Sequence, residues 1–269
     1  MTETIRTIGH KGGPQHGAGP IQLSADGKLL AVGCNDGVYV YDIGSFEPVA
    51  RLDASPVQLA FTPDAKRIAT GGIGDQLVLW EIATESKVWE ITPKKDRIVR
   101  SVDVSPDGKW IASGTIDNTA RIWDAASGEA ICEFDDHSGG NVFDVAFSRD
   151  SSKLATACFD GCSRVFDLEA RKLLITFEGF RERSAGHVYS NVFSDDGELI
   201  VSTAPEAGAL VWRTATGEVV CECKDAKDAV GALFLPGNKR VLTSHYTGCL
   251  LYTSPSPRDA TLSRMPSSA

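Results

Sequence analysis

The chain reads as short runs of apolar, small and β-branched residues broken by polar turns, and nowhere does an i, i+3, i+4 apolar stripe persist for ten residues. Strands are expected throughout, with helices at most incidental. One stretch shows the pattern clearly: Val99 to Val104, Trp110 to Gly114, Thr119 to Trp123 and Ala130 to Phe134 are predicted strands. Pro106-Asp107-Gly108, Asp117-Asn118 and Ala126-Ser127-Gly128 supply the turns between them, which makes a unit of four antiparallel strands.

The unit recurs. Turns of the type Ser24-Ala25-Asp26-Gly27, Thr62-Pro63-Asp64, Ser105-Pro106-Asp107-Gly108, Ser148-Arg149-Asp150 and Ser194-Asp195-Asp196-Gly197 place their aspartates 38, 43, 43 and 46 residues apart. A second anchor, an aromatic followed by an acid, keeps the same step: Tyr41-Asp42, Trp80-Glu81, Trp123-Asp124 and Phe166-Asp167, with Trp212-Arg213 losing the acid. A sheet of four short strands cannot bury both faces alone, so successive units are expected to stack face to face about an axis, as β-propeller blades do.

Together these anchors resemble the WD-repeat family, whose unit has about this length and ends in Trp-Asp. The resemblance spans roughly residues 5–248 and implies an all-β WD-repeat β-propeller over residues 1–248. It implies five complete blades near 20–53, 57–92, 98–135, 142–178 and 188–224, and a truncated sixth near 230–248, forming an open arc of a seven-bladed ring. Ile5-Arg6-Thr7-Ile8 and Gly9-His10 resemble the family's outer strand and the Gly-His that leads into the next blade. The family's hydrogen-bonded tetrad of His, Ser or Thr, Asp and Trp is complete in no unit. The fourth has His137, Thr156 and Asp160, but Phe166 stands in the Trp position and has no indole N–H to donate. Residues 249–269 change character and resemble translated sequencing-library adaptor, so they are expected to be a non-native tail. Leu250 to Tyr252 is expected to mimic a third strand.

A formal charge of −9 opposes attraction to phosphate backbones and anionic lipid, so neither nucleic acid nor membrane is an expected partner. The apolar share, 42%, suffices for a core and excludes disorder as the main state. Seven cysteines, an odd number, in a chain with no Asn-x-Ser/Thr acceptor suggest reduced thiols and a cytoplasmic or nuclear setting.

Catalytic and ligand chemistry is sparse. No Gly-x-Ser-x-Gly elbow is present, the five histidines are scattered, and Cys158/Cys162 and Cys221/Cys223 lack a second pair at metal-binding spacing. The Gly-rich stretch 12–19 lacks the Gly-Lys-Ser/Thr of a phosphate cradle. No cofactor, metal or catalytic residue is expected. Trp-Asp-x-Arg, which resembles the variant that docks on cullin-ligase adaptors, is absent, since Ala83, Ala126, Glu169 and Ala215 hold the fourth position.

What remains is surface. In the family the loops before the first strand and between the second and third form the partner-docking rim, and here those loops carry Lys94, Lys95, Arg97, Phe159, Phe180, Arg181 and Arg183. The expected function is a non-catalytic scaffold or adaptor for other proteins, with acidic peptide segments as suitable partners. The alternative is the regulatory propeller of a larger enzyme whose catalytic part lies outside this chain.

Overall fold

A computed structural model describes residues 19–72, 76–91, 98–181, 187–223, 226–245, 250–253 and 263–264. The turns explain why the strands start and stop where they do. In five units a Ser or Thr hydroxyl donates to the carboxylate of the aspartate two residues on: Ser24–Asp26 2.7 Å, Thr62–Asp64 2.6 Å, Ser105–Asp107 2.7 Å, Ser148–Asp150 2.6 Å and Ser194–Asp196 2.6 Å. The same aspartates accept the backbone N–H two residues further along, and the returning strand's first N–H donates to the Ser or Thr oxygen, as Trp110 does to Ser105 at 2.9 Å. The residue after each aspartate has positive φ, which Gly27, Gly108 and Gly197 adopt without a Cβ clash and Ala65 and Ser151 adopt at some cost.

The acid of the aromatic–acid anchor has a parallel task in the next turn. Asp42 Oδ1 accepts the Ser45 N–H at 2.7 Å, Asp124 Oδ1 the Ser127 N–H at 2.8 Å, and Asp167 Oδ1 the Ala170 N–H at 2.7 Å. Arg213, where the acid is lost, instead lies 3.5 Å from Glu218.

Among the described residues, six four-stranded antiparallel sheets result. Sheet 1 is Ile21–Leu23, Leu29–Cys34, Gly37–Asp42 and Pro48–Leu52; sheet 2 is Pro56–Phe61, Arg67–Gly72, Leu77–Glu81 and Ser86–Ile91. Sheet 3 is Val99–Val104, Trp110–Thr115, Ala120–Asp124 and Ala130–Phe134, within a residue of the strands read from the sequence. Sheet 4 is Val142–Phe147, Lys153–Cys158, Ser163–Asp167 and Lys172–Phe177; sheet 5 is Ser190–Phe193, Leu199–Ala204, Gly208–Arg213 and Val219–Cys223. Sheet 6 begins with Ala229–Phe234 and Val241–His245. Leu250–Thr253 forms its third strand, as anticipated for Leu250 to Tyr252, and Ser263–Arg264 adds a fourth that was not expected. The outer strand read at Ile5–Ile8, and the other residues of the 249–269 tail, lie outside the described residues.

Register puts the aromatic anchors at one structural position. Tyr41 faces Leu30, Trp80 faces Ile68, Trp123 faces Ile111, Phe166 faces Leu154 and Trp212 faces Ile200. All five are buried, and each helps fill an apolar layer. Most of these layers lie between consecutive sheets: Val38, Val40 and Leu52 of sheet 1 pack with Leu59, Ile68 and Trp80 of sheet 2, and Phe177 of sheet 4 stacks on Trp212 of sheet 5 at 4.5 Å between centroids. The core is thus a series of shared interfaces, as the stacking argument requires.

First strands of neighbouring sheets touch, and those of sheets 1 to 5 line a cavity of about 760 Å³. An edge strand facing such a cavity leaves alternate N–H groups without a ladder partner. Here side chains from the preceding sheet receive several of them: Gln22 Oε1 takes Phe61 N–H (2.8 Å), Ser101 Oγ takes Val145 N–H (3.1 Å), Asp103 Oδ2 takes Phe147 N–H (2.8 Å) and Asp144 Oδ2 takes Asn191 N–H (2.9 Å). Ser101 in turn donates to Asp144 Oδ1 at 3.1 Å, which ties sheets 3, 4 and 5 together around the cavity.

Candidate functional site

At the end of the sheets where one sheet leads into the next, three residues occupy a common position seven residues before the turn aspartate: Arg100, Phe143 and Tyr189. Because consecutive sheets are stacked, these side chains stack as well. The Arg100 guanidinium carbon lies 5.6 Å from the centroid of the Phe143 ring, and Phe143 and Tyr189 are nearly parallel at 4.8 Å and 12°. Phe159, between the second and third strands of sheet 4, extends the row: its ring lies 5.7 Å from Phe143 and 3.3 Å from His187. Main-chain bonds fix this corner. Phe159 N–H donates to Asn141 O (3.0 Å), Val188 N–H to Cys158 O (3.1 Å), and His187 Nδ1 lies 3.1 Å from Phe159 O, which only accepts, so Nδ1 carries the proton. Arg100 and Phe159 are exposed, while Phe143, His187 and Tyr189 are half-buried. The outcome is a rigid ledge of four rings with a cation at one end, offering π-faces, a charged donor and little flexibility to lose on binding.

Not all of the rim residues read from the sequence reach this ledge. Phe159 does. Arg181 is exposed but paired with Glu178 at 2.6 Å. Phe180 is a correction: it is fully buried, meeting Phe177 edge-on at 6.0 Å within the layer between sheets 4 and 5, because the turn at 178–181 folds it inward to cover the stacked Phe177 and Trp212. Lys94, Lys95, Arg97 and Arg183 lie outside the described residues. Arg100, Phe143, His187 and Tyr189 were not singled out from the sequence. The available signal was their shared offset from the turn aspartate, which turns three unremarkable strand-start residues into neighbours.

Elsewhere the polar groups at this end are structural. His137 Nε2 lies 2.9 Å from Thr156 Oγ1 and its Nδ1 lies 3.1 Å from Asn118 O. Burial lowers its pKa to about 4, so the ring is neutral, Nδ1–H donates to the carbonyl and Nε2 accepts from the threonine hydroxyl. Trp80, Trp123 and Trp212 donate to Thr70 (3.0 Å), Ser113 (2.9 Å) and Ser202 (2.8 Å) at the matching positions. Asp160 is bonded to Arg164 at 2.6 Å; burial acts to raise its pKa, but the guanidinium and the Ser138 and Cys162 N–H groups prevail and hold it well below the usual range. Cys158 and Cys162 are buried thiols, Cys158 being pushed up to about 11 by burial, which suppresses thiolate chemistry. Among the described residues no cluster of His, Cys, Asp or Glu is arranged to hold a metal ion.

Repeated four-stranded sheets, three of them anchored by a tryptophan whose indole N–H reaches a Ser or Thr and each sharing a core layer with the next, define a β-propeller architecture. The family described as WD domain, G-beta repeat matches residues 86–124 and 128–167, so the chain contains WD repeats over these two segments. Both matched segments run from the fourth strand of one sheet, or the turn before it, to the third strand of the next, so the sequence repeat straddles two sheets. No curated protein matches the chain. WD40 repeats in general mediate protein–protein interactions, and their propellers are typically non-catalytic.

Proposed function

We propose that this protein is a non-catalytic scaffold or adaptor that docks partner polypeptides on the ledge formed by Arg100, Phe143, Phe159, His187 and Tyr189. The observation that carries the reading is the stacked row itself. Half-buried aromatic rings with an exposed phenylalanine and arginine, held by backbone bonds, are the composition and rigidity that binding hot spots require. The Arg100 cation at one end favours segments that combine an aromatic or aliphatic anchor with acidic residues. The neutral His137 and the protonated Cys158 thiol suit structural roles for both.

Affinity capture from cells tests the proposal, comparing the wild type with Phe143→Ala/Tyr189→Ala, with Arg100→Glu, and with Lys66→Glu at the opposite end of sheet 2. Partners should be lost with the two ledge variants and retained with Lys66→Glu, each truncated ring weakening binding by about tenfold or more. Equal recovery across all variants would sink the assignment.

A further inference from the structure

In sheet 4, His137 reaches Thr156 because the connection from sheet 3 is seven residues long, 135–141. Sheet 2 has the same threonine, since Thr70 pairs with Leu59 as Thr156 pairs with Val145. Its aromatic anchor also matches, Trp80 for Phe166. The connection leading into sheet 2, however, is just 53–55, too short to bring any side chain down onto Thr70. At this place there is a cavity of about 220 Å³, lined by Thr70, Gly71, Val78 and Trp80 below and by Asp53, Ser55 and Gln76 at its mouth. A water occupies roughly 30 Å³ of liquid, so the space admits a ring-sized group.

The donor pattern on the floor is specific. Thr70 Oγ1 accepts the Trp80 indole N–H at 3.0 Å, which leaves its own O–H to point toward an acceptor. In sheet 4 the atom that accepts such an O–H is Nε2 of a neutral imidazole lying against the aromatic anchor, with 5.8 Å between the centroids of His137 and Phe166. At the mouth of the sheet 2 cavity the Asp53 carboxylate offers an acceptor for the second ring N–H.

We propose that this cavity is a binding site for a neutral imidazole, filled by a histidine side chain of a partner polypeptide that supplies in trans what His137 supplies within the chain. The site is separate from the ledge and does not depend on it.

The test is titration of the full ¹⁵N-labelled chain with imidazole at pH 8, following the indole N–H resonances. The Trp80 resonance should shift and saturate. That of Trp212 should stay put, because the Ser202 hydroxyl it reaches already donates to Asn191 Oδ1 at 2.5 Å. Thr70→Val, which removes the donor, should weaken binding about tenfold, and Thr70→Ser should restore it. If Thr70→Val does not fold, Gln76→Trp, at the exposed mouth, provides the same comparison by blocking entry. Binding should fall at about pH 5, where the probe is protonated. A Gly-His-Gly peptide should move the same resonance, and Gly-Ala-Gly should not. An unmoved Trp80 resonance, an equal shift of Trp80 and Trp212, or insensitivity to the Thr70 and Gln76 changes overturns the site. Response to imidazole without response to Gly-His-Gly overturns the polypeptide partner.

Discussion

Asp103 lines the central cavity, half-buried, and its two oxygens accept the N–H groups of Val104 and Phe147. Burial raises its pKa to about 7, against the pull of those N–H groups and with a contribution from Asp144, which burial raises to about 6. A carboxyl raised in the folded state binds more protons there than in the unfolded chain. Its contribution therefore makes the protein more stable as pH falls from about 7 toward 4, and less stable as pH rises through 7. Urea unfolding at pH 6 and pH 8 should show this slope, and Asp103→Asn should flatten it, whatever the variant does to absolute stability. A slope that survives the substitution assigns the titration to another group. His137 acts in the opposite sense, since a histidine lowered to about 4 takes up its proton more readily when unfolded and costs stability as pH falls below about 6.5.

Elements in this chain are specified by their turns. Ser194 shows how much one hydroxyl does: it donates to Asp196, accepts the Leu199 N–H at 2.9 Å and closes the hairpin between the first two strands of sheet 5. Ser194→Ala should cost about 1 kcal/mol, read from the denaturation midpoint at unchanged slope. This chemistry is local, so it was legible in the sequence, and so were the strands it separates. The aromatic–acid step was legible for the same reason, because Asp42, Asp124 and Asp167 act within three residues of themselves. The ledge was not. Arg100, Phe143 and Tyr189 are more than forty residues apart, and their adjacency comes from how far each sheet is turned against the next. Phe180 misled for a related reason: beside Arg181 it looked like a surface anchor, but the stacked pair of Phe177 and Trp212 beneath it offered more apolar contact than solvent could.

At the scale of the molecule, no sheet owns its core. Trp212 is fully buried against Phe177 and Phe180 of the preceding unit, so Trp212→Ala should cost about 3–5 kcal/mol. The loss should also spread. Hydrogen exchange should quicken in sheets 4 and 5 and less in sheet 1, since each unit supports chiefly its neighbours. Uniform acceleration across all sheets would argue for one indivisible core instead.

The side-chain acceptors that Gln22, Ser101, Asp103 and Asp144 extend to the next sheet have a bearing on how the chain behaves in a crowded solution. A tunnel walled by bare strand margins would be a template on which a foreign polypeptide could lay down an additional β-strand. By occupying those amides with groups from the protein itself, the molecule keeps its middle open while withholding the foothold from which cross-β growth begins.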